Sequence, residues 1–294
     1  MNISPQRTRR TQRTFDALRP RRPRRFAVLV ASLLSASCGA SLLKLPAGPG
    51  APAPDTRDVL AEATATCRAV SSLTAEIGVS GSIGGRRVRA RLVAGLASPA
   101  SARLEAYALG QPIFIFAARA ADATLLLTRD RRVLEHGRPE EVLEAIAGLP
   151  VDAADLRTAL LGCPDGNVAL DPDSGRRLGD DWRMAVEGLN DLYLQRKARS
   201  APWRLVAVVH RAGQPSWRAE YRNFVDDLPR EVRLVSSDSS RFDVRLALSQ
   251  VDLNPSLPGA AFQVTVPPGV DPITLDELRR QGPLSGAGPG NDGR

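Results

Sequence analysis

Residues 101–127, SARLEAYALGQPIFIFAARAADATLLL, decide the fold. Ala102–Tyr107 and Pro112–Ala118 read as two strands of a hairpin turning at Ala108-Leu109-Gly110-Gln111. Ile113, Phe114, Ile115 and Phe116 are apolar at every position, as are Leu125, Leu126 and Leu127. Strands apolar on both faces must be covered on both sides. One face of this sheet must therefore carry a helix, a lipid or both.

Upstream, the period is two. Leu73, Ala75, Ile77 and Val79 alternate with small or polar residues. After Gly84-Gly85, Val88, Ala90 and Leu92 alternate with Arg87, Arg89 and Arg91, which predicts a hairpin with one apolar face. GSIGG leads into a strand rather than a helix, so its glycines read as turn residues and not as a phosphate loop. Before this hairpin, residues 55–72 place Val59, Leu60, Ala63, Cys67 and Val70 at helical spacing, with Asp55 or Thr56 as the cap.

Downstream, PEEVLEAIA at 139–147 predicts a helix with Pro in its first turn and acids beside it. After Gly148-Leu149-Pro150, Asp152 caps a second helix that ends at Gly162-Cys163-Pro164. The two-residue period then returns from Trp182. It runs through Trp203–Val209, Trp217–Tyr221, Val232–Leu234 and Phe242–Leu248, and ends with Phe262, Val264 and Val266. A short helix around Thr274–Arg280 follows, and the Gly/Pro-rich end is expected to be disordered. Helix, about six strands, two helices and about six strands have no βαβ rhythm. The expected class is α+β, mainly β: a strongly curved antiparallel half-barrel with helices covering one face.

The N-terminus carries a different message. Nine arginines and one Asp in residues 1–25 precede the short apolar run FAVLVASLLSASC at 26–38. A charged region, a short apolar core and small residues before a cut site make a secretory signal, and the run is too short to span a bilayer. Leu34-Ser35-Ala36-Ser37-Cys38 resembles a bacterial lipobox, with Ser35 where Leu is usual. The expected product starts at Cys38, diacylglycerylated and N-acylated; Arg24-Arg25 would allow twin-arginine export, but their spacing to Phe26 fits general secretion better. The expected division is a signal over 1–37, lipidated Cys and Pro/Gly/Ala tether over 38–54, the domain over 55–270, and a short helix with a tail over 271–294. Gly39 is not the Asp associated with inner-membrane retention, which points to the outer membrane, facing the periplasm.

The formal charge of +8 belongs to residues 1–25; the remainder carries 31 basic and 31 acidic residues. No basic excess is left to argue for nucleic acid. Cys67 and Cys163 form an even pair in an oxidising compartment, which invites a disulfide; the alternative is two buried thiols. Chemistry is scarce. His136 and His210 have no second ligand at metal spacing and read as strand-end residues. Adjacent acids such as Asp180-Asp181 point apart, and neither a Gly-x-Ser-x-Gly elbow nor a Cys-x-x-Cys motif is present. No metal, cofactor or enzymatic activity is expected.

The order of the central segments carries a resemblance. Tyr107-Ala108-Leu109-Gly110-Gln111 enters an apolar strand; then come Ala123–Leu127, the helix at 139–147, Gly148-Leu149-Pro150-Val151, and Asp155-Leu156-Arg157 leading to Leu160-Leu161-Gly162. This order resembles the LolB family of outer-membrane lipoprotein receptors, with Ala108 where that family usually has Pro. The end, Asn254-Pro255-Ser256-Leu257-Pro258 through Phe262 to Val266-Pro267-Pro268-Gly269, is similar to the LolA carrier family and related lipoproteins. The resemblance spans about residues 55–270. It implies an eleven-stranded half-barrel with an apolar cavity for lipoprotein acyl chains, and a membrane-delivery tip at Leu109 and Gly110.

The candidate cavity lining is Ile77 and Leu92 on the first hairpin, with Phe114, Phe116, Leu125 and Leu127 on the apolar strands. Trp203, Trp217, Tyr221 and Phe242 complete it. The implied partners are the outer-membrane bilayer, lipoproteins or other acylated lipids, and a periplasmic LolA-like carrier. The rival expectations are a same-fold binder of another hydrophobic ligand, such as a glycolipid, and a structural or sensor lipoprotein whose interior is filled by its own side chains.

Overall fold

The computed structural model describes residues 41–149, 151–164, 173–211 and 216–281. Two antiparallel meanders form most of it. The first is β2 (Ser72–Ile83), β3 (Arg86–Ala97), β4 (Ser101–Ala108), β5 (Gln111–Arg119), β6 (Asp122–Leu127) and β7 (Arg132–Gly137), after the two-residue β1 (Ala51–Pro52). The second, preceded by the two-residue β8 (Arg176–Arg177), is β9 (Trp182–Glu187), β10 (Asn190–Gln195), β11 (Arg204–His210), β12 (Trp217–Arg222), β13 (Glu231–Ser236) and β14 (Phe242–Leu253). β14 pairs with β2 from Phe242↔Ile83 to Leu253↔Leu73, so the last long strand closes against the first and joins both meanders in one sheet.

The result is a curved, unclosed fifteen-stranded sheet in the order β1-β8-β9-β10-β11-β12-β13-β14-β2-β3-β4-β5-β6-β7-β15, where β15 (Asp271–Pro272) is again two residues long. The count corrects the eleven strands expected. Three of the fifteen are two-residue backbone pairings with no side-chain alternation, so no sequence pattern announces them. They cap both outer edges, where an exposed row of N–H and C=O groups would invite another strand.

Among the described residues there are four α-helices: α1 (Thr56–Arg68), α2 (Pro139–Ala147), α3 (Ala153–Leu161) and α4 (Leu275–Gln281). α1 packs on β9 and β11 of the second meander, α2 on β6, and α3 on β3 and β4. Together, α2 and α3 are the return connection between the meanders. Their ends follow the sequence signals: Arg138 precedes Pro139 at the start of α2, and Gly148 ends it in the left-handed region at φ 70°. Asp152 and Asp155 form a reciprocal capping box on α3, which Gly162 ends at φ 65°. One continuous core draws on both meanders and on all four helices.

Two segments depart from expectation. Val264 and Val266 do not continue the sheet. A 3-10 turn at Gly259–Phe262 lies over the outer face of β4 and β5, and Arg103 donates to the carbonyl oxygens of Gln263 (2.7 Å) and Ala261 (3.3 Å). Both sides of β14 are already paired, by β13 and β2, so an alternating segment that follows it finds no free edge. It covers Ala117 with Phe262 instead, which supplies the second cover that a strand apolar on both faces requires.

Part of the segment expected to hold the domain off the membrane is also docked. Leu43 N–H donates to Glu220 Oε1 at 2.8 Å and Arg218 donates to the Leu43 carbonyl at 2.9 Å. Ala51–Pro52 pairs with Arg176–Arg177, and Ala53 N–H donates to Gly175 O at 3.0 Å. Pro/Gly/Ala composition removes side-chain burial, but not backbone hydrogen bonding.

Candidate functional site

Inward side chains of β2–β5 meet the lid helices at one end of the sheet. They leave a cavity of about 120 Å³ there. Val79, Leu92, Ala106 and Phe114 form its floor, Leu143 and Ile146 of α2 and Leu160 of α3 its roof, and Trp217, Leu234 and Leu246 its far wall. Leu149, Val151 and Leu156, from the α2–α3 connection and the start of α3, complete the roof. Every lining residue is apolar apart from the indole N–H of Trp217. Such a space stays dry and takes apolar groups: a comparable apolar cavity of about 150 Å³ holds benzene. At this size it holds a few carbons, so a full acyl chain requires the helices to move.

The roof is fastened unequally. Cys67 of α1 and Cys163, just beyond α3, are disulfide-bonded with Cα atoms 5.7 Å apart. Arg157 of α3 donates to the Val70 carbonyl at 3.1 Å. Both attachments tie α3 to α1. By contrast, α2 rests on apolar contacts, with α4 against its outer side. The C-terminal chain thus reaches the roof, and Thr274 and Glu277 cap α4 reciprocally.

The structure brings only some of the anticipated lining residues together. Leu92, Phe114 and Trp217 face the cavity. Ile77, Phe116, Leu125 and Leu127 are buried in the core and do not reach it, nor do Tyr221 and Phe242. Trp203 is held between the guanidinium groups of Arg183 and Arg196, 5.0 and 4.7 Å from its ring centre. Burial pushes the Tyr221 phenol up, and Gly162 turns tightly against its ring, where a Cβ would come within 3.3 Å. Alternation identifies inward residues but not their level along the strand. Among the residues missed, Leu149 and Val151 carry a signal of their own: apolar side chains in a turn that should be polar.

At the same end of the sheet, the β4–β5 hairpin turns on Leu109 (φ 51°) and Gly110 (φ 77°). Positive φ at both central positions matches the type I′ turn that suits strand twist. Glycine accepts this readily; leucine does so at a cost of roughly 1–2 kcal/mol. Leu109 is nevertheless 95% exposed, with no packing to repay that strain. A strained residue with no stabilising contact is a pointer to function.

The histidines do not assemble a catalytic group. His136 is exposed, 3.3 Å from Asp122. His210 is half-buried, stacks on Trp217 at 5.2 Å and shares a 2.7 Å hydrogen bond with Asn190; burial lowers its pKa. Among the described residues there is no group of three or more His, Cys, Asp or Glu that could hold a metal, and no helix long and apolar enough to cross a membrane. The expected signal over 1–37 and Cys38 lie outside the described residues, as do residues 282–294.

No protein-family model matches this sequence, and no curated protein matches it at the sequence level. Solved structures do match its shape. A LolA superfamily protein from Nitrosomonas europaea superimposes with a TM-score of 0.51 at 10% identity, covering 71% of this chain and 97% of its own. The lipoprotein LppX from Mycobacterium tuberculosis matches more loosely, with a TM-score of 0.30 at 9% identity over 68% of this chain and 98% of its own. At such identities the likeness is one of architecture: a curved, unclosed sheet cradling helices, which is a LolA-like fold.

Proposed function

We propose that this chain is a lipid-anchored envelope protein, attached through Cys38 to the outer membrane and facing the periplasm. In this reading it binds acyl chains of lipoproteins and helps insert or localise them in that membrane. One observation carries the reading: a cavity lined by apolar and aromatic side chains between a curved sheet and a two-helix lid, with no acid, histidine or cysteine in its lining. Its partners would be the bilayer, acylated proteins or lipids, and a LolA-like periplasmic carrier that hands them over.

Transfer of this kind needs no covalent step. Burying an acyl chain gains roughly 0.8 kcal/mol per methylene. A pocket that recovered all of it would never release the chain. The small cavity suits loose retention: α2 lifts, the chain enters, and closure returns the cargo to the bilayer, the larger apolar acceptor. Leu109 is the residue placed to meet that bilayer first. The anchor keeps the protein there, since several chains give stable attachment where one does not.

The modest volume also favours a second reading, a structural or sensor lipoprotein whose interior its own side chains fill. Native mass spectrometry separates the two. The chain from Gly39 onward is secreted to a periplasm and purified without detergent. A mass excess matching acylated species is expected, and its fragments would tell lipoprotein from glycolipid. A bare polypeptide mass, with no uptake of a fluorescent fatty acid, would leave the structural reading.

A further inference from the structure

The outer face of the sheet is dense in ion pairs. Arg91 meets Glu76 at 3.0 Å, Arg103 meets Glu105 at 2.8 Å, Arg233 meets Asp243 at 2.7 Å and Arg245 meets Glu231 at 3.1 Å. Arg218 and Arg222 share the wholly buried Glu220. Arg87 and Arg89 break this rule. Both point outward from β3, both are exposed, and neither has an acid opposite: the register places Ser82 and Ser80 there. The carboxylates two and three strands away on β14 and β13, Asp243 and Glu231, are already engaged by Arg233 and Arg245. Among the described residues, these two guanidinium groups have no hydrogen-bond or ion-pair partner.

Their position is the informative part. Arg91 pairs with Tyr107, so continuing that register by two residues brings Arg89 level with Leu109 at the hairpin tip. The cavity lies at this same end, between Val79 on β2 and Phe114 on β5. Following the register the other way, Arg89 is level with Ser80, Arg245, Arg233 and Glu220. Glu220 is where Leu43 docks, four strands or roughly 20 Å across the sheet. Only four residues lie between Cys38 and Leu43, and the five steps along the chain reach at most ~18 Å. A lipid anchor on Cys38 is therefore confined to within that reach of Leu43, which docks on the row of residues that Glu220 shares with Arg89.

We propose that this end of the sheet is a docking surface for an anionic phospholipid bilayer, with Arg87 and Arg89 binding lipid phosphates beside the inserting Leu109. The inference rests on the reading of Cys38 as the anchor. Guanidinium groups offer planar paired donors that match phosphate oxygens. The Glu220 clamp shortens the tether and turns the cavity end towards the lipid.

All of the core lies between Val59 and Leu278, so the chain from Gly39 retains it and lacks the anchor that would mask surface binding. The test is sedimentation with vesicles of phosphatidylcholine alone or with about 30% phosphatidylglycerol, at low and raised salt. Binding is expected to the anionic vesicles, weakening with salt. R87S/R89S should reduce it about thirtyfold, at the usual contribution of each arginine near such a surface. R57S/R68S, which removes two exposed arginines from α1, should leave it unchanged. Equal loss in both double variants, equal binding to neutral vesicles, or no binding would each overturn the proposal. Fatty-acid uptake is read in parallel: if it persists without vesicle binding, docking fails and the transfer reading stands, whereas the reverse pattern sinks the transfer reading alone.

Discussion

Each meander runs six consecutive antiparallel strands, yet their side chains are spent differently. The second meander is a scaffold. β12 carries Glu220 wholly buried between Arg218 and Arg222, β13 and β14 are laced by ion pairs, and Trp203 is gripped by two guanidinium groups. α1 lies on this half. The first meander holds the strained exposed leucine, the free arginines and most of the cavity floor. A sheet built as two equal halves can leave one half unsatisfied because the other is over-determined. Strain and unpaired charge persist where the surroundings hold the backbone in place.

That contrast can be broken most severely at the disulfide, which ties the scaffold helix α1 to the lid. Replacing Cys67 and Cys163 by Ser frees a loop of 96 residues and is expected to cost about 4–5 kcal/mol in urea unfolding. A loss below ~1 kcal/mol would mean that Arg157 and packing alone hold α3. Next comes Glu220→Ala on the scaffold side. Removing the acid takes the buried carboxylate from Arg218 and Arg222 and frees the Leu43 N–H, for an expected loss of about 3 kcal/mol. An equal loss from R87S/R89S on the other half would erase the distinction drawn between the halves.

Filling the cavity should separate function from stability. Ala159 of α3 lines the cavity, and Ala159→Leu adds apolar volume where space exists. Stability should stay within about 1 kcal/mol of wild type while fatty-acid uptake falls severalfold; unchanged uptake would place the ligand elsewhere. Leu109→Gly relieves the positive φ and should stabilise the chain by up to ~1 kcal/mol, while lowering lipid transfer to acceptor vesicles.

The smallest effect is expected at His210. Burial lowers its pKa from the ordinary 6.5, opposed by Asp155, with Trp217 and Asn190 against the ring. The unfolded chain then binds the proton first. The contribution is fully present above about pH 6.5 and is lost as pH falls through that value towards the lowered folded one. Melting temperature should drop slightly more between pH 7.5 and pH 5 in wild type than in His210→Asn.

Much of this was legible in the chain. The helix at Pro139–Ala147 starts and ends where Pro and Gly punctuate it, because capping is a local matter. Six strands on each side of the helices follow from period-two alternation, and the tip at Leu109-Gly110 from its flanking strands. The cavity lining was legible only in part. Alternation separates Phe114 and Phe116 from Ile115, but both phenylalanines point inward and only Phe114 reaches the cavity.

The sequence by itself determined the long elements, their order and, where polar and apolar residues alternate, which side of a strand faces inward, since these depend on neighbours a few residues apart. Only the tertiary structure decided that β14 returns to β2, and that the alternating residues after it lie across the outer face. It alone brought Leu43 to rest on Glu220 and the Pro/Gly stretch after it to pair with Arg176–Arg177, and placed the cavity, Leu109 and two unpaired arginines at one end. Each of these is a choice among distant backbone edges and charges. It is settled by which partners remain free once the sheet has formed, and no local pattern encodes that.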